Sequence, residues 1–284
     1  MSSTRAPGAP AFSSVPEPVP KLLRDLVHER TGTYFESDRL DLMIDKLQER
    51  VAATGSASLL DYYYKLKYDD VAEEWRRVMD AFSVQETYFW REVDQIKALT
   101  AQVVPAWFRQ TTAPLRIWSA ACATGEEPYT IAIALEEAGW GGHPIEIVAS
   151  DASEAALTKA REAVYRERSF RALPPALRAR YFERTPEGDL LTRRIADRVT
   201  FRWANLVEPQ TYSDINDVQA IFCRNVFIYF SSEAIARVVA AFGTQMPVGG
   251  YLFVGASESL LKLTTLFELE DVQGAFAYVK RGRA

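Results

Sequence analysis

The spacing of apolar residues divides the chain into two differently built parts. From Lys21 to about Phe82, apolar residues recur every three or four positions, as they do on one face of a helix. The pattern predicts four helices with apolar faces at Leu22–Val27, Leu40–Val51, Leu59–Leu66 and Val71–Phe82. We therefore expect a small helical bundle, with most of these residues in its core.

From Leu115 onwards, β-prone runs alternate with helical patterns. The predicted strands are Leu115–Ser119, Ile145–Ser150, Ala220–Cys223 and Tyr251–Gly255, and the predicted helices are Glu126–Ala138, Ser153–Ala163 and Ser232–Met246. Such alternation predicts an α/β fold with a mostly parallel sheet and ligands at the carboxyl ends of its strands. Near the end, FELEDVQGAFAYVK predicts an antiparallel hairpin that turns at Gln273-Gly274.

A segment at about residues 166–201 interrupts this alternation with a Pro-Pro pair, a short helix and the turn ERTPEGD. We predict that it forms a small β-subdomain inserted in the sheet domain. The expected organisation is a flexible tail (residues 1–15), a helical domain and linker (16–92) and a sheet domain (93–284).

Composition excludes several classes of protein. The chain has 284 residues, 48% hydrophobic and 25% charged, which is typical of globular proteins. A net charge of −5 argues against wholesale nucleic-acid binding. No apolar run reaches the roughly 20 residues of a membrane span, and the start lacks the apolar core of a signal peptide. We expect a cytoplasmic protein without membrane insertion.

The stretch LRIWSAACATGEEP places small residues between a predicted strand and a helix start. Gly125 at this turn would let a ligand approach the backbone, and the helix N-terminus offers free amides. The dinucleotide fingerprint GxGxxG is absent, and Glu126 and Glu127 would repel a pyrophosphate. A cationic or zwitterionic ligand therefore fits this turn better than a phosphate does, which opposes the alternative of an NAD-dependent oxidoreductase.

Asp151 follows the second predicted strand, 26 positions after Gly125. A carboxylate near this place holds the ribose diol in nucleotide-binding folds, and the alternative is an N-cap of the next helix. Together with the missing glycines, it favours an adenosyl ligand without phosphates, S-adenosylmethionine.

Five segments in order resemble the CheR-type chemotaxis receptor methyltransferases. They are SVQETYFWRE, LRIWSAACATGEEPYTIAIAL, IVASDAS, AIFCRNVFIYF and GGYLFVGASESL, and the resemblance covers nearly the whole chain after about Pro16. It implies a protein-glutamate O-methyltransferase: a Rossmann-like S-adenosylmethionine-dependent sheet domain with an all-helical N-terminal domain and a small inserted β-subdomain. A receptor-binding module that keeps this fold without catalysis is the alternative from another class.

The resemblance also implies a cofactor site. Gln85, Thr87 and Arg91 in the linker would contact S-adenosylmethionine, Glu127 would face its amino group and Asp151 its ribose. Asn205 and Leu206 would flank the adenine, and Arg224 and Asn225 would lie below the sulfonium. The chain departs from the family with Gln85 in place of a common Asn, with Phe89-Trp90 in place of a frequent Phe pair, and with Ala256 where some members have His.

Glutamate methylation needs no general base, because a carboxyl group with a pKa near 4.3 is already ionised at pH 7. His28 and His143 lie outside the motifs. We expect Arg91 and Tyr229 to orient the substrate carboxylate, although Arg91 could instead form a structural ion pair and Tyr229 could pack. No metal is expected.

The two cysteines, Cys122 and Cys223, form no CxxC pair and predict neither a disulfide framework nor a zinc site. They are expected to fill tight space. Since both end neighbouring strands, they could also lie close together, so a redox role remains an alternative.

The implied partner is the cytoplasmic domain of a methyl-accepting chemoreceptor, and the enzyme is expected to act as a monomer. Arg39, Lys46 and Arg50 could form a basic docking face for it, or belong to an ordinary solvated face together with neighbouring acids. The turn ERTPEGDLL is compact and carries Pro186, which opposes capture of a receptor C-terminal peptide by β-strand addition.

Overall fold

The front of the chain is the predicted helical bundle. The structure, a computed structural model, describes residues 18–69 and 71–282, so the expected tail at residues 1–15 lies outside the described residues. Its helices are α1 (Pro18–Thr31), α2 (Leu40–Ala53), α3 (Leu59–Tyr68) and α4 (Ala72–Phe82). Most residues of the predicted apolar faces lie in one shared core, whereas Leu22 and Leu42 are exposed.

A buried carboxylate cross-links this bundle. Glu74 on α4 is 9% exposed and accepts hydrogen bonds from Arg50 Nε (3.1 Å) and Nη2 (2.7 Å). The Tyr62 hydroxyl donates a third bond of 2.6 Å to the same carboxylate. The hypothesis of a docking face on α2 is therefore weakened for Arg50, whose charge is paired with Glu74. Lys46 also bonds within it, to the carbonyl of Ala81 at 3.0 Å.

A helical stretch that the pattern did not predict joins the bundle to the sheet. α5 (Val93–Ala98) continues through a π-helical segment (Leu99–Val103) into α6 (Val104–Phe108). The wider π-helical turn interrupts the 3.6-residue repeat on which periodicity depends. This explains why the apolar spacing does not reveal the helix.

Ten strands and five further helices follow. The strands are β1 (Leu115–Ala120), β2 (Ile145–Asp151), β3 (Val164–Tyr165), β4 (Phe182–Arg184), β5 (Asp189–Leu191), β6 (Val199–Trp203), β7 (Ala220–Cys223), β8 (Tyr251–Val254), β9 (Phe267–Val272) and β10 (Ala275–Lys280). The helices are α7 (Glu126–Glu137), α8 (Glu154–Glu162), α9 (Pro175–Tyr181), α10 (Arg193–Ala196) and α11 (Ser232–Gln245).

Seven strands form one sheet in the order β6-β2-β1-β7-β8-β10-β9. Its strands pair in parallel except at β10, which is antiparallel to both β8 and β9. The predicted hairpin is confirmed, with Gln273 and Gly274 both in the left-handed region. Cys122 and Cys223 are buried in separate cores on opposite faces of this sheet, which opposes a bond between them.

The inserted β-subdomain differs from its expected bounds of 166–201. It is an antiparallel sheet in the order β3-β5-β4, and its strands lie between Val164 and Leu191. β6 instead pairs in parallel with β2. As an edge strand with a partly exposed face, β6 alternates like a strand of an antiparallel hairpin, so its sequence pattern alone does not place it.

The linker between α4 and α5 is anchored on this small subdomain. The Phe89 side chain is fully buried, with its ring centroid 4.8 Å from that of Tyr165 and 5.1 Å from that of Phe182. Its amide donates to the carbonyl of Ser169 at 2.9 Å. These contacts fix the linker beside the carboxyl ends of the parallel strands. Among the described residues, no helix combines the length and apolarity needed to cross a membrane.

We predict that Glu74→Ala lowers the free energy of unfolding by about 2–3 kcal/mol, because it leaves Arg50 and the Tyr62 hydroxyl without their shared acceptor. Glu73→Ala is the matched control, since Glu73 is exposed and forms only an (i, i+4) ion pair with Arg77. It should cost less than about 0.5 kcal/mol. Urea unfolding followed by circular dichroism compares the two, and equal effects would contradict the prediction.

Candidate methyl-transfer site

A cleft lies where the carboxyl ends of the parallel strands meet the linker and the front bundle. Its empty volume is about 1070 Å³, including its solvent-filled mouth. The lining includes nine of the residues expected from the sequence: Thr87, Arg91, Glu127, Asp151, Asn205, Leu206, Arg224, Asn225 and Tyr229. The fold therefore brings most of the expected site together, although two expected members, Gln85 and Gly125, lie outside the lining.

Gly125 serves helix packing. Its φ is +93°, and a Cβ there would lie 2.9 Å from the Ala160 side chain and 3.0 Å from the Tyr165 hydroxyl. Ala121, Cys122 and Ala123 line the cleft in this turn, and both alanines are also in the left-handed region. Gly125 lies outside the cleft lining, whose wall in this turn is formed by the small residues before it. The approach of a ligand to Gly125 stays a prediction.

Gln85 is also directed elsewhere. Its side-chain oxygen accepts a hydrogen bond of 3.0 Å from Lys159 Nζ on α8. Thr87, two residues later, does line the cleft. The linker thus lines the cleft on both sides of Gln85, at Val84 and at Glu86–Tyr88, while Gln85 itself bonds to α8.

Asp151 ends β2 and is 8% exposed. Its two oxygens each accept a backbone bond of 2.8 Å, one from the amide of Ala123 and one from that of Ser153. The N-cap of α8 is Ser153, whose hydroxyl accepts from Ala156, so the helix-cap alternative for Asp151 is wrong. Burial raises the pKa of the Asp151 carboxyl, and the backbone bonds oppose that shift. Each oxygen retains acceptor capacity for a ligand.

Glu127 and Arg224 form an ion pair beneath the cleft. Arg224 Nε donates to Glu127 Oε2 at 2.6 Å, and the Ser119 hydroxyl donates to Oε1 at 2.6 Å. Arg224 Nη1 also donates to the backbone carbonyls of Arg91 (3.0 Å) and Glu92 (3.2 Å). Arg224 therefore joins the sheet to the linker as well as lining the cleft.

Asn205 connects the sheet domain to the front bundle. Its Nδ2 donates to the backbone carbonyl of Arg30 at 2.8 Å, and its Oδ1 accepts from the amide of Val207 at 3.3 Å. The amide expected to face an adenine is thus engaged with the end of α1. Leu206 beside it is 6% exposed and presents an apolar surface to the cleft.

Arg91 lies on the linker side of the cleft, and Tyr229 lies in a short helical turn after β7. Arg91 Nη1 donates to the backbone carbonyl of Glu86 at 2.9 Å, and its Nε lies 3.9 Å from Glu92 Oε1. The ion pair is therefore long. Tyr229 is 38% exposed, which argues against a packing role for its ring.

Two carboxylates that the sequence did not single out hold the Asn225 loop. Glu258 accepts backbone bonds from Asn225 (2.8 Å) and Gly255 (2.6 Å). Glu92 accepts from Asn225 Nδ2 and from the amide of Ala256, both at 3.2 Å. A Cβ at Gly255 would lie 2.5 Å from Asn225 Nδ2. In the sequence, the role of Glu258 could have been inferred from its place three positions after Gly255 in GGYLFVGASESL.

Family comparisons agree with this geometry. Residues 85–276 match the family described as "CheR methyltransferase, SAM binding domain", and residues 21–83 match "CheR methyltransferase, all-alpha domain". The chain belongs to the CheR methyltransferase family. It is an S-adenosylmethionine-dependent methyltransferase, as the resemblance implied.

Similar CheR-family proteins cover most of the chain. Chemotaxis protein methyltransferase 2 of Vibrio cholerae is 33% identical over 90% of this chain and 91% of its own. The chemotaxis protein methyltransferase of Salmonella typhimurium is 33% identical over 86% and 84%. The probable biofilm formation methyltransferase WspC of Pseudomonas putida is 32% identical over 89% of this chain and 60% of its own.

The donor set of the cleft fits S-adenosylmethionine. Asp151 offers a buried carboxylate of the kind that binds a diol, and Leu206 offers an apolar surface. Glu127 offers negative charge beside the short turn of Ala121 and Ala123. These groups suit a zwitterionic adenosyl ligand, whereas the same acids would repel phosphates.

We predict that Asp151→Asn weakens S-adenosylmethionine binding by about 1–3 kcal/mol, because charge-assisted hydrogen bonds become neutral. Asparagine keeps one acceptor oxygen for the backbone, so the fold should survive. Isothermal titration measures the affinity, and thermal unfolding without ligand checks the fold. Asp189→Asn is the control, since Asp189 pairs with Arg178 outside the cleft. An unchanged dissociation constant in Asp151→Asn would remove Asp151 from the binding set.

Proposed function

We propose that this CheR-family enzyme methylates glutamate side chains on the cytoplasmic helices of a chemoreceptor, giving methyl esters for sensory adaptation. The names of the Vibrio and Salmonella relatives support a role in chemotaxis. The name of the Pseudomonas relative refers to biofilm formation. The proposal therefore concerns the class of receptor and leaves the pathway open.

The observation that carries this proposal is the state of the titratable groups in the cleft. Glu127 is engaged by Arg224 and Ser119, and Asp151 by two backbone amides. Neither histidine is among the described lining residues. Since a general base must be free to accept a proton, this arrangement suits an acceptor that is already anionic. A glutamate carboxylate meets that requirement.

Each proposed role follows from a position in the cleft. S-adenosylmethionine, when bound, supplies an electrophilic methyl group. Asp151 would hold its ribose and Glu127 its ammonium group, with Thr87 on the linker and Leu206 against the adenine. Asn205, whose amide is engaged by Arg30, would shape the adenine pocket through its backbone and its position. Gln85 and Gly125 would support the site from behind its wall.

The methyl end of the cleft would belong to the linker and the loop after β7. Arg91 and Tyr229 would orient the substrate carboxylate, since both line the cleft and the Tyr229 hydroxyl is not consumed by packing. Arg224 and Asn225 would fix that loop. Catalysis would rest on positioning and electrostatics, which are the effects such a transfer needs. We propose that no metal takes part.

The same reasoning places the enzyme with its substrate. A receptor's cytoplasmic helices are accessible from the cytoplasm, so we propose that location for the enzyme. One chain contributes the whole cleft lining described above, and we propose that it acts as a monomer without nucleic acid.

We also propose that the enzyme acts without a receptor tail peptide. The turn between β4 and β5 is closed by bonds from the Thr185 amide and hydroxyl to the carbonyl of Gly188, both 2.8 Å. A Cβ at Gly188 would lie 2.5 Å from the carbonyl oxygen of Tyr165. The edge strand β4 offers only three residues for pairing. So short and tight an edge is poorly suited to adding a peptide strand.

We expect transfer of labelled methyl from S-adenosylmethionine to a receptor cytoplasmic domain, with the label released as methanol on base treatment. Base lability identifies a carboxyl methyl ester, and omission of the receptor is the control. Label that resists base would contradict the glutamate assignment. Binding of S-adenosylmethionine without any transfer would instead favour the non-catalytic module.

Removal of the receptor's last residues should change the methylation rate by less than about twofold, because the edge of β4 has little capacity for strand addition. Steady-state kinetics with intact and truncated receptor measure this effect. Titration with the isolated tail peptide provides the matched binding test. Micromolar binding of that peptide, or a large loss of rate on truncation, would overturn the proposal.

A further inference from the structure

Basic charge is concentrated in one part of this acidic chain. Residues 164–203 contain ten arginines, no lysine and five acidic residues, a net charge of +5. The whole chain has a net charge of −5, so the remainder carries −10. This segment includes the small β-subdomain against which the linker packs. Arg180, Arg194, Arg198 and Arg202 pair with acids outside the segment. The attraction of an acidic partner must therefore come from the other arginines of the segment.

One of these arginines, Arg171, reaches the cleft mouth, where it meets Arg91 of the linker. Arg171 Nη2 lies 2.6 Å from Glu86 Oε1, and its Cζ lies 3.7 Å from the centroid of the Tyr88 ring. Glu86 and Tyr88 both line the cleft. The Cζ of Arg91 lies 5.6 Å from the same ring. Two guanidinium groups thus share one aromatic ring at the entrance.

Arg168 adds a third positive charge to this cluster. It is exposed and lies in the short helical turn Glu167–Phe170. The hydrogen bond from Arg171 lowers the pKa of Glu86, and the charges of Arg171, Arg168 and Arg91 lower it further. Arg168 precedes Ser169, whose carbonyl accepts the amide of Phe89 on the linker, so its turn lies against the segment that carries Glu86. The mouth of the cleft carries a surplus of positive charge that Glu86 alone does not neutralise.

We propose that Arg168 and Arg171, the arginine rim, dock acidic side chains that flank the glutamate to be methylated. This inference rests on the proposed function and names the surface that selects its substrate. The alternative face on α2 is weakened because Arg50 is neutralised by Glu74. The rim instead stands beside the cleft, with Arg168 exposed and the Arg171 side chain 43% exposed. It would hold an acidic helix while Arg91 faces the reacting carboxylate.

Charge reversal at the rim tests this proposal. Arg168→Glu, alone and with Arg171→Glu, should raise the KM for a receptor cytoplasmic domain about tenfold at low salt. For Arg168→Glu, kcat and S-adenosylmethionine affinity should stay within about twofold. The salt dependence of KM should flatten, because screening no longer removes an attraction. The double variant Arg168→Lys with Arg171→Lys keeps both charges, so its KM should stay close to that of the unaltered enzyme.

Arg184→Glu is the matched control, since Arg184 lies in the same basic segment and is exposed on β4, opposite Asp189 of β5, whereas Arg171 bonds to the cleft-lining residue Glu86. A KM unchanged by rim reversal would overturn the proposal. An equal rise in KM for Arg184→Glu would also overturn it, because the attraction would then come from the overall charge of the segment and not from the rim.

A binding measurement separates the rim from the methylation reaction. Fluorescence anisotropy with a labelled glutamate-rich helical peptide reports docking without turnover. If rim reversal abolishes peptide binding, the docking role of the rim is supported, whether or not the receptor is methylated. A failure of receptor methylation alone would then contradict only the proposed function. Normal methylation with peptide binding insensitive to rim reversal would overturn the rim and leave the proposed function intact.

Discussion

The buried guanidinium of Arg224 is the interaction on which the cleft depends. Its side chain is 2% exposed, and its charge is balanced by Glu127 at the start of α7. The remaining donors bond to the linker backbone at Arg91 and Glu92. Removing one partner of such a pair leaves an uncompensated buried charge, at a cost of about 3–5 kcal/mol. One side chain thus connects the sheet, helix α7 and the linker.

The front bundle is held over the sheet domain by directional polar contacts. Asn205 bonds to the carbonyl of Arg30, and Asp80 on α4 accepts a 2.7 Å bond from the Ser153 hydroxyl at the start of α8. His28 Nε2 lies 2.9 Å from the Ser231 hydroxyl at the N-cap of α11. Because hydrogen bonds are directional, these contacts define how the bundle meets the cleft. They also engage Asn205, a side chain of the cleft lining, so its amide group is not available to a ligand.

The helical bundle, the parallel strands and the closing hairpin could be predicted from the sequence, because each depends on periodicity or turn chemistry within a short window. The position of Asp151 in the cleft could also be predicted, since the carboxyl ends of the parallel strands meet at one edge of the sheet. The class of ligand followed from local features as well: a turn without the dinucleotide glycines and with two acids at the helix start. Recognition of the five motifs then supplied the family and its reaction.

Other features depended on residues that are distant in the sequence. Arg224 and Glu127 are separated by 97 positions, and Asn205 and Arg30 by 175, so no local pattern could pair them. The sequence suggested a ligand contact at Gly125, whereas the fold packs Ala160 and Tyr165 against it. Arg50 looked like a free charge until the fold placed Glu74 beside it. A sequence determines which groups are present and how nearby residues fold, whereas their availability for a ligand depends on which neighbours tertiary packing brings to them.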